Sequence, residues 1–98
     1  MMKIVGTTPE GKPVWSGTLQ FSATYGLPFD WLVEEIHLRG GVVDWTSNVQ
    51  EVLKQGSNLE RAVNAWDVIV SSIYDQEWVT AWRTRLRVYI ANQLLESA

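Results

Sequence analysis

The chain has 98 residues and no cysteine, 46% of it is hydrophobic, and eight basic against eleven acidic side chains leave a net charge of −3. That length supports one domain without covalent staples, and the absence of thiols excludes disulfides and cysteine chemistry. The acidic balance argues against nucleic acid or an anionic membrane surface as a partner. No stretch reaches the ~18 apolar residues of a membrane span, and MMKIVGTTPEGK lacks the apolar centre of a secretory signal. A cytoplasmic protein is therefore expected.

Residues 3–15, KIVGTTPEGKPVW, open with Ile4-Val5 and close with Val14-Trp15 around Pro9-Glu10-Gly11-Lys12. Pro9 suits the second position of a turn, and Gly11 accepts a positive φ, so a hairpin or an extended arm fits. The next segment, TLQFSATY, alternates apolar and polar residues as a strand does. Gly26 and Pro28 behind it are helix-ending signals, and a short helix over 18–25 is the reading adopted. A helix over 28–39 follows, with Phe29, Leu32, Val33 and Ile36 on one face and Gly40 at its end.

Asp44 is the N-cap candidate for a helix over 45–55, with Val49, Val52 and Leu53 as its buried face and Gly56 as its stop. Ser57-Asn58-Leu59-Glu60 reads as a capping box, in which Ser57 accepts from the Glu60 amide. Behind it, Leu59, Ala62, Val63, Trp66, Ile69, Val70 and Ile73 hold the helical period without a miss. The last helix starts after Asp75 and runs to about Leu95, lined by Trp78, Val79, Trp82, Leu86, Tyr89, Ile90 and Leu94. Trp78 and Ala81 sit away from Val79 and Leu86, so this helix presents two faces.

Thr24-Tyr25-Gly26, Pro28, Asp30, Glu34-Glu35, Gly40-Gly41, Val43-Asp44, Gln55 and Arg61-Ala62 make a spaced pattern over residues 21–62, about two-fifths of the chain. This pattern resembles the helical segment that follows the catalytic core of alanyl-tRNA synthetases. Small proteins of bacterial and phage genomes are similar in the same stretch. The aminoacylation core, the editing domain and its zinc ligands have no counterpart. The resemblance thus implies a like helical unit and not the enzyme, and it suggests a phage or mobile element as the source, with the host cytoplasm as the compartment.

Chemistry-bearing constellations are few. His37 is the sole histidine, so no His pair can hold a metal, and no serine elbow accompanies it. Asp30 and Glu34 share a helix face one turn apart, which suits a solvated acidic patch or a basic partner. Arg83 and Arg87 share another face, with Trp82 and Tyr89 interleaved. This is a thin basic-aromatic pattern for nucleic acid, so a solvated face, or pairing with Asp30 and Glu34 within the fold or across a dimer, is preferred. Gly40-Gly41 lacks the lysine of a phosphate loop. Six tryptophans exceed what so short a chain can bury, and exposed tryptophan is typical of interfaces.

The expected architecture is mainly α: a compact bundle of four to five short helices with a small N-terminal β hairpin or arm, in one domain spanning 1–98 (arm 1–16, helical core 17–96). The expected function is a non-enzymatic protein-interaction module, an adaptor, inhibitor or small virion component. Its expected partner is another protein, self-association included, contacted through Trp31, Asp30, Glu34, Trp78, Arg83 and Arg87. No catalytic, cofactor or metal site is expected. An RNA- or DNA-binding accessory is the second reading.

Overall fold

In the computed structural model, which describes residues 2–97, the punctuation around Pro9 and Gly11 makes a hairpin. Strand β1 (Lys3–Thr7) runs antiparallel to β2 (Pro13–Ser16), with a bulge between Ile4 and Gly6. Its turn is closed by the Gly11 amide donating to the Thr8 carbonyl and by the Lys12 amide donating to Thr8 Oγ1, at 2.9 and 3.1 Å. A third strand, β3 (Val42–Val43), pairs parallel to β2, with Val14 beside Val42 and Trp15 beside Val43. Sequence reading missed it because two residues carry no period.

Five helices follow among the described residues, so the mainly-α expectation with an N-terminal hairpin holds. Tertiary contacts gather the chain into two units, Met1–Glu51 and Val52–Ala98. In the first unit, α1 (Thr18–Tyr25) is a helix despite its alternating sequence. Its C-terminus decides the matter: the Gly26 amide and the Leu27 amide both donate to the Ser22 carbonyl, and Ser22 Oγ donates back to the Leu27 carbonyl at 2.5 Å. Phe21 and Tyr25 meet one turn apart with ring centroids 4.5 Å apart and planes tilted by 42°, a contact that only the helix makes, since a strand would hold them ~13 Å apart.

Helix α2 (Phe29–Leu38) buries Leu32, Val33 and Ile36, while Phe29 meets Trp45 edge-on at 6.0 Å. It ends in a Schellman motif. The Gly40 amide donates to the His37 carbonyl and the Gly41 amide to the Ile36 carbonyl, at 3.0 and 2.8 Å. This closure needs Gly40 at φ 79°, a region L side chains enter at a cost. The chain then turns into β3, and the Asp44 amide donates to the Trp15 carbonyl at 2.8 Å just before α3 (Trp45–Gln55). Trp45, Asn48 and Val49 are buried there, and Asn48 Oδ1 accepts from Thr18 Oγ1.

In the second unit, α4 (Leu59–Ile73) buries Trp66 and Val70 at the centre of its stripe. Its cap is displaced by one residue from the reading above. Asn58, not Ser57, is the N-cap, and its side chain accepts from the Arg61 amide at 3.1 Å. The reason is upstream: Ser57 is already committed to the end of α3, its amide donating to the Val52 carbonyl. Helix α5 (Gln76–Ser97) starts as expected, with Asp75 Oδ1 accepting from the Trp78 amide at 2.8 Å. Val79, Trp82 and Leu86 are its buried side chains. Leu53, read as part of a buried face, and Leu94, read as lining the two-faced last helix, are exposed at 40% and 57%. The helical period places them next to the apolar stripes, and neither is covered.

Two stability outcomes are expected. Trp66→Ala should cost ~3–5 kcal/mol, a large part of the ~5–10 kcal/mol such a domain has, because it empties a buried site. Gly40→Ala should cost ~1 kcal/mol through the backbone alone, since no heavy atom lies within 4 Å of the added Cβ. Denaturant melts measure both, and an unchanged Gly40→Ala midpoint would show the left-handed cap to be dispensable.

Candidate partner-binding surface

Helix α2 buries one side, and its opposite side carries two large apolar residues where solvated polar ones are usual. Trp31 is 50% exposed and Leu38 is 70% exposed, seven residues apart on one line. Asp30 and Glu34 lie on the same outer side. Asp30 Oδ1 accepts from the Trp31 amide at 2.9 Å, which fixes the first turn. Glu35 Oε1 accepts from Arg39 Nε at 2.9 Å in an exposed pair one turn apart. Between Trp31 and that pair opens a groove of about 440 Å³. Trp15, Phe21, Trp31, Leu32 and Ile36 line it, with Glu35 and Arg39 at the mouth. Such a concavity offers burial of an apolar side chain with polar groups at its rim, and no arrangement for bond chemistry.

In the second unit, Arg83 pairs with a partner other than the Asp30 and Glu34 expected from sequence. Its Nε and Nη2 donate to the two oxygens of Asp67 on α4, at 2.6 and 2.8 Å. Arg83 on α5 and Asp67 on α4 are 16 positions apart, so helix pairing created this contact and no local pattern revealed it. The Arg83 hydrogen bond is the largest influence on the Asp67 carboxyl and holds it below its usual 3.8; desolvation by burial opposes it, and the Arg83 charge, the Ser71 hydroxyl and the Arg87 charge add to the lowering. Arg87, one turn on, shares a cleft with Asp67 and Arg83 whose lining includes Trp82 and Leu86. That cleft of about 260 Å³ shares Val63, Asn64 and Ile90 with an apolar hollow of about 370 Å³ reaching Leu53, Leu59 and Leu94. Together they form one groove along α4 and α5. Trp78 is part-buried and stacks on Tyr74 at 3.6 Å and 10°. Burial pushes the Tyr74 hydroxyl above its ordinary pKa of 10.0.

The six residues singled out from sequence thus separate into Asp30, Trp31 and Glu34 in the first unit and Trp78, Arg83 and Arg87 in the second. Leu38 and Trp15 were missed. Leu38 was passed over because a lone leucine at a helix end carries no pattern, although its position seven after Trp31 was readable. Among the described residues, no group of three His, Asp or Glu could hold a metal, and no helix is long and apolar enough to cross a membrane. No family model, curated protein or solved structure is matched by this chain.

Two outcomes test this description. Trp31→Ala should cost no more than ~1–2 kcal/mol, the worth of the half of the indole that is buried; a loss comparable to that of Trp66→Ala would place Trp31 in the core. A lowered carboxyl pKa contributes stability that is complete above the ordinary value and is lost as pH falls through the folded one. Between about pH 5 and pH 2 the parent's midpoint should therefore fall more steeply than that of Asp67→Asn; parallel profiles would show that the pair contributes nothing to folding.

Proposed function

We propose that the protein is a non-enzymatic protein–protein interaction module of adaptor or inhibitor type, working through the outer side of α2. The observation that carries this reading is Trp31, held half-exposed on a regular helix at the lip of an aromatic groove. Keeping so large an apolar surface in water forfeits ~1–2 kcal/mol of burial, a cost that a partner removes on docking. Asp30 and Glu34 beside it favour a partner with a basic flank. The second reading, an RNA- or DNA-binding accessory, needs Arg83 and Arg87 to reach phosphates. It is disfavoured because two of the three guanidinium nitrogens of Arg83, Nε and Nη2, already donate to Asp67.

The test is affinity capture from lysate of the encoding organism with the parent, Trp31→Ala and Arg87→Ala chains, with protein and nucleic acid read in parallel. A protein captured by the parent and lost with Trp31→Ala is the expected result. Nucleic acid captured by the parent and lost with Arg87→Ala would overturn the reading in favour of the second.

A further inference from the structure

The outer side of α2 has a sign pattern along its length. Asp30 and Glu34 are negative, Trp31 and Leu38 are apolar, and Arg39 at the C-terminal end is positive, its side chain 79% exposed. The groove along α4 and α5 has the inverse pattern. Arg83 and Arg87 stand at one end, partly offset by Asp67. Val63, Ile90, Leu94 and Leu53 make the apolar middle and far side, and Glu60 stands at the far rim. Spacing agrees as well as sign. Leu38 follows Glu34 by four residues and Ile90 follows Arg87 by three, about one helical turn, or ~6 and ~4.5 Å of rise. A helix docked with Glu34 against Arg87 therefore sets Leu38 near Ile90 and carries Arg39 toward Glu60. Among the described residues, no salt bridge within 4.0 Å holds Glu34 or Arg87. The Glu35–Arg39 pair is exposed and cheap to rearrange.

From this we infer that the groove of α4 and α5 takes α2 of a second copy of the chain, so that the protein self-associates through Glu34–Arg87 and through Leu38 on the apolar middle, with Trp31 carried toward Leu86 and Trp82 at the Arg83 end. The inference rests on the interaction-module reading and names its partner. A second copy is preferred to a foreign helix because both complementary surfaces, with both signs in register, are present on the one sequence. Each chain offers one face and one groove, so every copy can both give and receive this contact.

Sedimentation of the full chain tests this, with circular dichroism melts to confirm that each variant folds. All three positions tested, Glu34, Leu38 and Arg87, are exposed, so folding should survive. The parent should show concentration-dependent mass below ~1 mM. Glu34→Arg and Arg87→Glu should each weaken association about tenfold or more, as should Leu38→Ala. The combined Glu34→Arg, Arg87→Glu chain should return to within about threefold of the parent, because the pair is restored with its signs exchanged. Single variants that weaken association without recovery in the combined chain would overturn the pairing. A parent that remains monomeric to ~1 mM would overturn the second copy as occupant. In that case, a partner captured from lysate and lost with Trp31→Ala leaves the module reading standing, and the lack of any such partner removes both.

Discussion

The indole of Trp15 lies so close over Gly41 that a Cβ there would stand 3.0 Å from its Cδ1 and Nε1 and 3.1 Å from Ile36 Cγ2. Much of the first unit depends on that missing carbon. Because Gly41 is bare, the end of α2 can pass beneath the indole. Because it passes there, the next residues lie beside β2, and Trp15 pairs with Val43 while its carbonyl accepts from the Asp44 amide. The turn into α3 is thereby fixed within a few residues of the end of α2. Gly40 supplies the reversal and Gly41 the clearance. The dense punctuation between short helices thus answers two separate demands: backbone conformation at one glycine and side-chain space at the next.

This corner also determines what α2 shows to its surroundings. Leu32, Val33 and Ile36 are held inward, Ile36 partly by its contact at Gly41, so the helix cannot roll to hide Trp31 and Leu38. An α-helix with 3.6 residues per turn places residues seven apart on nearly one line, and here that line points outward. The apolar residues on it are a property of the sequence and not of a loosely packed helix. The cost of exposing them is carried in the free chain, and its recovery on association is what the proposed function requires.

Much of the architecture was legible because it is local. Caps at Gly26, Gly40 and Asp75, the turn at Pro9 and the stripe around Trp66 each depend on residues within a helical turn or two. What was not legible is what distant segments do to each other. The two-residue strand β3 exists only because β2 is there to receive it. Asp67 reads as a solvated charge until α5 brings Arg83 to it. Asn58 replaces Ser57 as a cap because Ser57 is occupied by the helix before it. Leu53 and Leu94 fit the period of a buried face, yet periodicity specifies a direction and not whether something lies in that direction. The candidate site followed the same rule. Trp31 was identifiable as lying off the buried face, whereas the aromatic groove beside it is assembled from β2, α1 and α2 and had no linear signature.

The central claim is that the Trp15 indole over a bare Gly41 organises the first unit, and a double-mutant cycle measures it. Gly41→Ala is compared in the parent and in a Trp15→Val background by denaturant unfolding. Overpacking of this kind costs ~1–3 kcal/mol. The account predicts that cost in the parent and less than half of it once the indole is gone, with the residue owed to Ile36. An equal cost in both backgrounds would contradict it, because the added methyl would then be resisted by something other than Trp15.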